Sequence, residues 1–427
     1  MFYLILFLLL VFGLPLFSAL GGLNLLLMLQ ELAGDISWED GLLGLFLDPY
    51  REITRSEMLL PIPFFALSGF LLARAKTAER LFGLFCLIFS RRGQVKGFLT
   101  GGFALFALFI FTPMTGASGV TIIALGGLLF PLLTKAGYSE KQALGLITAG
   151  GSLGLLLFPS LPVILYGILS MNKTSVRELF LAGLAPSMLV LVSLLAFNFM
   201  AYRSAKVNLE NEPFNFQEAT KLFLELLIIP LIFFLFQKGK ITPVEMSVIF
   251  LSYFFLLEVF VFKELGLSDL LGIVEQAGSL VGGIFLIIFF AMGLTKTLIY
   301  MEVPQKLFSF FSQFVQNKWQ FLLLLNSLLI AAGMIMDIFS AIVVLSPLVI
   351  HLGEAYGVDM IHLGIVFLTN LEIGYLTPPV GINLFISSMR FKKSLPYVYR
   401  TVWPYVILLI LCQLLITYIP AISLWYR

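Results

Sequence analysis

Residues 369–388 read TNLEIGYLTPPVGINLFISS. The stretch is apolar enough for a membrane helix, yet Gly374, Thr377-Pro378-Pro379 and Gly381 interrupt it, and Asn370, Glu372 and Asn383 lie close by. Paired prolines remove backbone donors and block helical geometry, so carbonyls upstream of them lose their partners. In a bilayer such a break is tolerated only where protein packs around it or where it lines a wet cavity, as ion and substrate sites of secondary transporters do. The stretch reads first as a binding loop.

The rest of the chain supports a membrane setting. Of 427 residues, 60% are hydrophobic and 12% charged, with mean hydropathy +1.03, whereas soluble domains carry roughly 25% charge. No Asp, Glu, Lys or Arg lies between the N-terminus and Glu31, between Lys96 and Lys135, between Lys141 and Lys173, or between Arg400 and Arg427. Each window exceeds the ~20 apolar residues that cross the hydrocarbon core. The first window lacks a basic leader and a cleavage site, so a retained span is expected. A net charge of +2 gives no case for nucleic acid. Cys86 and Cys412 sit in apolar context without metal spacing, and His351 and His362 read as interfacial loop residues. No phosphate loop, Ser/His/Asp set or cysteine cluster points to an enzyme.

In chain order, Glu31 to Glu57 suits an extramembrane connection. Leu81 to Ser90 is too short to cross, so Arg74 to Lys96 is expected on one face, partly as an in-plane helix. FTPMTGASGV at 111–120 and GGSLGLLLFPSLP at 150–162 bring a second set of glycine and proline breaks. Arg203 to Lys221 is the most polar stretch and reads as a linker. The expected organisation is an N-terminal repeat over 1–205, a linker over 206–221 and a C-terminal repeat over 222–427.

A single offset relates the halves. Gly137 and Gly357, Gly154 and Gly374, and Pro159 and Pro379 are each 220 apart (357−137, 374−154, 379−159). A duplicated unit with a broken helix in each copy marks transporter inverted repeats. Arg74 to Lys96 holds six basic residues and Lys296 to Lys318 holds three. By the positive-inside tendency the first faces the cytoplasm and the second does not.

Sodium prefers hard oxygen donors, as other hard cations do. Thr115, Ser118 and Ser152 offer hydroxyls and Gly154 a carbonyl in the first half. Asp337, Asn370, Gly374, Thr377 and Gly381 offer oxygens in the second. Asp337 is the best intramembrane acid, uncharged neighbours running from Lys318 to Glu354. Its alternative role is to pair with backbone amides. Glu372 suits capping as well as ligation. Ser152, Pro159, Ser160, Pro378, Pro379 and Asn383 are the candidate substrate contacts, because half-helix N-termini after the prolines favour an anion such as a carboxylate.

TNLEIGYLTPPVGINLF, GMIMDIFSAIVVLSPL, PIPFFALSG, FPSLPVILYG followed by LFLAGLAPS, and the closing YIPAISLW resemble the large permease subunit of tripartite ATP-independent periplasmic (TRAP) transporters, the DctM-like family. The resemblance covers nearly the whole chain. It implies an all-α polytopic membrane protein of ion-transporter-superfamily type, with two inverted repeats, each carrying a re-entrant helical hairpin, and an elevator motion. It further implies import of an organic acid (a carboxylate or sialic-acid-like anion) driven by Na+. The implied partners are a small four-helix membrane subunit and a periplasmic substrate-binding protein, in the inner (cytoplasmic) membrane of a bacterium or archaeon.

On this resemblance the first hairpin is expected at about 116–167, its tip near Gly150 to Pro162. The second is expected at about 333–388, its tip near Gly374 to Asn383, with Asp337 beside a second sodium site. The family's Ser-Gly-Ser-Ala run is replaced here by Thr115, Gly116, Ala117 and Ser118. The competing expectations are a stand-alone sodium/proton antiporter or sodium/carboxylate symporter, and a membrane scaffold that transports nothing.

Overall fold

The structure, a computed structural model, describes residues 16–31, 46–55, 59–89, 94–170, 173–202, 206–208 and 216–427. The first half of the first expected span and residues 209–215 of the expected linker lie outside the described residues. What is described is an all-α polytopic membrane protein. It is helical apart from two three-residue strands, Gln94–Lys96 and Lys206–Asn208, paired antiparallel with Val95 opposite Val207. The helix Phe216–Gln237 begins inside the stretch expected as linker.

Contacts fix two opposite ends of the bundle. At face one, the Tyr138 hydroxyl donates to the Gly97 carbonyl at 3.2 Å, Asn198 donates to the Phe98 carbonyl at 2.8 Å, and Lys393 pairs with Glu140 at 2.5 Å. The hydrogen bond that Lys393 donates to Glu140 holds its ammonium above its ordinary range. At face two, Lys173 pairs with Glu354 at 2.7 Å, the Tyr356 hydroxyl donates to the Val315 carbonyl at 3.2 Å, and Arg427 bridges Glu178 and Asp359, each at 2.6 Å. The helix Val176–Tyr202 carries Glu178 at one end and Asn198 at the other. A helix of that length spans about 40 Å, so the faces lie on opposite sides of a bilayer.

The path of the chain follows. Gly97–Thr115 and Ser118–Lys135 leave face one and return to it, with Gly116-Ala117 between them. Lys318–Ile335 and Ile338–Ala355 leave face two and return to it, with Met336-Asp337 between them. These are the two re-entrant hairpins, and they enter from opposite sides. Glu140–Gly150 and Leu161–Leu169 instead run from face one to face two. Met360–Gly374 and Ile382–Phe391 run back from face two to face one.

The expected hairpins therefore require correction. The segments at about 116–167 and 333–388 are not hairpins, and the breaks at Gly150 to Pro162 and Gly374 to Asn383 are not hairpin tips. They are interruptions in two spans that cross the bilayer, while the hairpins occupy 97–135 and 318–355. Prolines mark the interruptions conspicuously, whereas the true tips reverse the chain with one left-handed glycine, Gly116 at φ +69°, or with a capping aspartate. Among the described residues nine helices are long and apolar enough to cross, and four of them are hairpin limbs. Length alone does not separate the two cases.

The repeat extends beyond the three residue pairs seen in the sequence. Ser118–Lys135 and Ile338–Ala355 begin and end 220 apart (338−118, 355−135). Each is followed by a turn with glycine in the left-handed region, Gly137 at φ +83° and Gly357 at φ +67°. The next helix starts from a polar cap in both copies: Ser139 with Gln142 in a reciprocal capping box, and Asp359 accepting from Ile361 and His362 amides. Such caps satisfy orphan amides that the first turn cannot pair itself. The segment expected on one face contains the short helix Thr77–Phe89, and Val303–Phe311 stands at the matching place before the second hairpin.

Each returning half-helix packs on the other repeat. Leu161–Leu169 lies against Ile338–Ala355, and Ile382–Phe391 lies against Ser118–Lys135. Glycines permit the closest approaches. A Cβ on Gly119 would sit 2.2 Å from Ile386 Cδ1, and one on Gly374 would sit 2.6 Å from Gly333 Cα.

Candidate substrate and cation sites

The first hairpin tip and both broken spans converge on Asn383. Ser118 Oγ donates to Asn383 Oδ1 at 2.8 Å, and Asn383 Nδ2 donates to Ser152 Oγ at 2.9 Å. Asn383 is fully buried and its two serine partners nearly so. One amide thus clasps a hairpin tip and a helix break of the first repeat from within the second. One turn further along, Ser387 shares a hydrogen bond with Thr148 at 2.8 Å. Residues four apart share a helix face, so Asn383 and Ser387 present one polar stripe to the first repeat.

The N-terminus of Ser118–Lys135 opens beside this clasp. Ala117 stands at the capping position and supplies no side-chain acceptor. The helices beginning at Leu161 and Ile382, capped by Ser160 and Gly381, also lack a side-chain cap bond. Uncapped first turns carry orphan amides and partial positive charge, which favour an anion.

The remaining first-half candidates divide. Thr115 stays within its own hairpin, sharing a hydrogen bond with Thr121 at 2.7 Å and donating to the Thr112 carbonyl at 3.1 Å. Gly154 has φ +87° and lies against the Phe109 carbonyl, and its own carbonyl accepts from the Leu157 amide at 2.8 Å. Its oxygen is therefore not freed by the break, contrary to expectation, because the chain turns tightly enough to reuse it. Ser160 is buried and its hydroxyl has no hydrogen-bond partner. Pro159 follows Phe158, whose ring packs with Phe180, Phe233 and Phe250.

The second hairpin tip has a different character. Asp337 caps Ile338–Ala355: Oδ1 accepts from the Phe339 amide at 3.0 Å and the Ser340 amide at 3.1 Å, and the Ser340 hydroxyl donates to Oδ2. Asp337 thus takes the amide-pairing role that its sequence context allows, and a capping carboxylate leaves net negative charge at the tip. The Gly381 amide donates to the Met334 carbonyl at 3.0 Å, which closes the second break onto the hairpin. Gly374 packs on Gly333, and its carbonyl accepts from the Thr377 amide at 3.0 Å. Here too the carbonyl expected to be free is used. Thr377 Oγ1 donates back to the Ile373 carbonyl at 2.7 Å. Pro378 is half-buried, Pro379 is exposed, and the Pro379 carbonyl accepts from Tyr399 at 2.7 Å.

Asn370 does not join this group. It donates to Asn326 Oδ1 at 2.6 Å within a buried set completed by Gln413 and Thr417. His362 lies in the first turn of Met360–Gly374, buried beside Ser423 and the Thr417 carbonyl, and not in a loop. Glu372 Oε1 and the Tyr375 hydroxyl are buried next to the second break without hydrogen-bond partners. Thr148, Ser387, Asn326 and Gln413 are not among the residues the sequence singles out. A four-residue spacing of polar groups in an apolar helix is the signal that could have found Ser387.

Two inverted repeats that meet at broken helices, with buried polar groups at the junction, define a secondary transporter by architecture. Residues 3–422 match the family described as Tripartite ATP-independent periplasmic transporter, DctM component, and the chain belongs to that family. It is 31% identical over 381 residues to the C4-dicarboxylate TRAP transporter large permease protein DctM of Pseudomonas aeruginosa, covering 87% of each chain. It is 29% identical over 374 residues to the sialic acid TRAP transporter large permease protein SiaM of Vibrio cholerae, covering 86% of this chain and 85% of that one. Among solved structures, the Alcanivorax borkumensis YdaH transporter shares the fold, with a TM-score of 0.69 over 96% of this chain and 98% of that one at 15% identity. The protein is a transport subunit and not an enzyme.

Proposed function

We propose that this chain is the translocating subunit of a sodium-coupled importer of an organic acid in a bacterial or archaeal inner membrane. The observation that carries the reading is the Asn383 clasp, which joins the two repeats at buried polar groups beside uncapped helix N-termini. Those N-termini suit a carboxylate, and the relatives' names specify a C4-dicarboxylate and a sialic acid, both carboxylates. The acidic tip at Asp337, tied to the second break by the bond from the Gly381 amide to the Met334 carbonyl, suits Na+, whose charge offsets that of the substrate. The second break touches both sites, since the Gly381 amide bonds the Met334 carbonyl beside the Asp337 tip and Asn383, two residues on, holds the clasp with the first repeat, which is a physical basis for coupling.

The family description is of a tripartite system, and this chain supplies one component. The other two are a small membrane subunit and a periplasmic protein that delivers the substrate. In the proposed elevator, the hairpins and broken spans move as one body against the helices Pro61–Arg74, Phe216–Gln237, Pro243–Phe255 and Leu267–Tyr300.

Reconstitution with both partner components tests this. Uptake of a C4-dicarboxylate or a sialic acid should need an inward sodium gradient and should fall to background without the binding protein. Asp337→Asn keeps an oxygen for the helix cap and removes the charge. It should raise the sodium concentration for half-maximal uptake about tenfold, the equivalent of ~1.4 kcal/mol. Equal uptake in sodium-free medium, or unchanged sodium dependence in the variant, overturns the assignment.

A further inference from the structure

Glu258 lies in the π-helical turn Leu256–Val261 and is fully buried. π-Turns inside α-helices are frequent at functional sites. Neither of its carboxyl oxygens has a hydrogen-bond partner, and neither does Glu225 Oε2, also buried. The charged groups facing Glu258 are Glu225, Arg80 and Glu264. Arg80, itself buried, donates to Glu225, to Glu264, and to Glu218 at 2.9 Å. Lys221 Nζ adds contacts to Glu264 at 3.2 Å and Glu218 at 3.3 Å. The Phe262 ring covers Arg80 at 5.0 Å and Lys221 at 5.4 Å, and Tyr253, facing Glu225, donates its hydroxyl to the Leu224 carbonyl.

The charges do not balance. Four carboxyl groups meet two cations, and the guanidinium and ammonium are spent on Glu218, Glu225 and Glu264. A buried carboxylate without a partner is too costly to persist, so it is paired or neutralised. Glu225 and Glu258 face one another, and two ionised carboxylates offer only acceptors to each other. The contact closes if one of them carries a hydrogen. Among the described residues no group of three or more acidic, histidine or cysteine side chains is arranged to hold a metal ion.

We propose that Glu225 and Glu258 share a single bound proton, and that this proton completes the pocket through which Arg80 anchors the helix Thr77–Phe89 to Phe216–Gln237 and to Glu264, just beyond the π-helical turn Leu256–Val261. That helix leads into the first hairpin, so the pocket is a proton-binding site near the entry to that hairpin, separate from the Asn383 clasp and the Asp337 tip. When the proton leaves, the four carboxylates repel and the anchor loosens.

Thermal unfolding of the purified full-length chain against pH tests this, with Glu258→Gln as a permanently neutral donor. The folded wild type holds a proton that the unfolded chain has already lost at neutral pH, so its stability falls as pH rises. Its melting temperature should drop by about 5 °C between about pH 6 and about pH 9, and the variant should stay level over that range. The infrared carbonyl band of a protonated carboxyl should be present in the wild type and vanish in Glu258→Gln. Should that variant fail to fold, the loss of the same band on alkalinisation of the wild type gives the answer. Parallel slopes for the two proteins, no protonated band, or a high-pH loss reversed by sodium chloride in the wild type alone would overturn the proposal, the last by assigning the pocket to an alkali ion.

Discussion

Replacing Asn383 with leucine should cut the kcat/KM of uptake about thirtyfold or more, equivalent to ~2 kcal/mol, while the protein still folds. Leucine fills a similar space but neither donates nor accepts, so Ser118 and Ser152 both lose their partner inside the protein. A buried polar group left unpaired costs ~1–3 kcal/mol, and here the cost falls where the two repeats meet. Asn370→Leu makes the same chemical change in the separate Asn326, Gln413 and Thr417 set. It should lower thermal stability without the same loss in kcat/KM. Transport kinetics of the two variants side by side check this, and uptake by Asn383→Leu within twofold of wild type would remove Asn383 from the site.

Gly374→Ala should be the most damaging small substitution, costing ~3 kcal/mol of stability or abolishing assembly. Its Cβ would lie 2.6 Å from Gly333 Cα and 2.8 Å from both the Gly333 carbonyl carbon and the Ile330 oxygen. All three are backbone atoms, so no side chain can swing aside and the second hairpin must separate from the second broken span. The opposing residue is already glycine, so no smaller residue can compensate. A melting temperature for Gly374→Ala equal to that of wild type would show that the hairpin and span do not approach so closely.

Much of this arrangement is legible in the amino-acid sequence. Composition declares the membrane, and the 220-residue offset declares the repeat, because glycines in left-handed turns and prolines in breaks tolerate few substitutes. The sequence misplaces the hairpins because prolines advertise a broken helix without saying whether the chain goes on or turns back. That choice is decided by distant contacts, such as Tyr138 with Gly97 and Tyr356 with Val315. The site is legible only as parts. Asn383 and Ser152 can each be suspected from their place beside a break, but their hydrogen bond joins positions 231 apart, and that with Ser118 joins positions 265 apart. Local patterns carry no record of such pairs. Asn370 misleads for the same reason: its spacing from the break looks right, and its side chain points into another cluster.

The central claim is that proline-broken spans cross the bilayer between hairpins that enter from opposite sides, so that both repeats meet at Asn383. Side-specific labelling of single cysteines at Lys141 and Lys173 tests it most directly, since both positions are exposed and the native Cys86 and Cys412 are buried. These residues flank the first proline break. A membrane-impermeant thiol reagent should reach them from opposite sides of the membrane. Labelling of both from the same side would make 140–169 a re-entrant hairpin and contradict it.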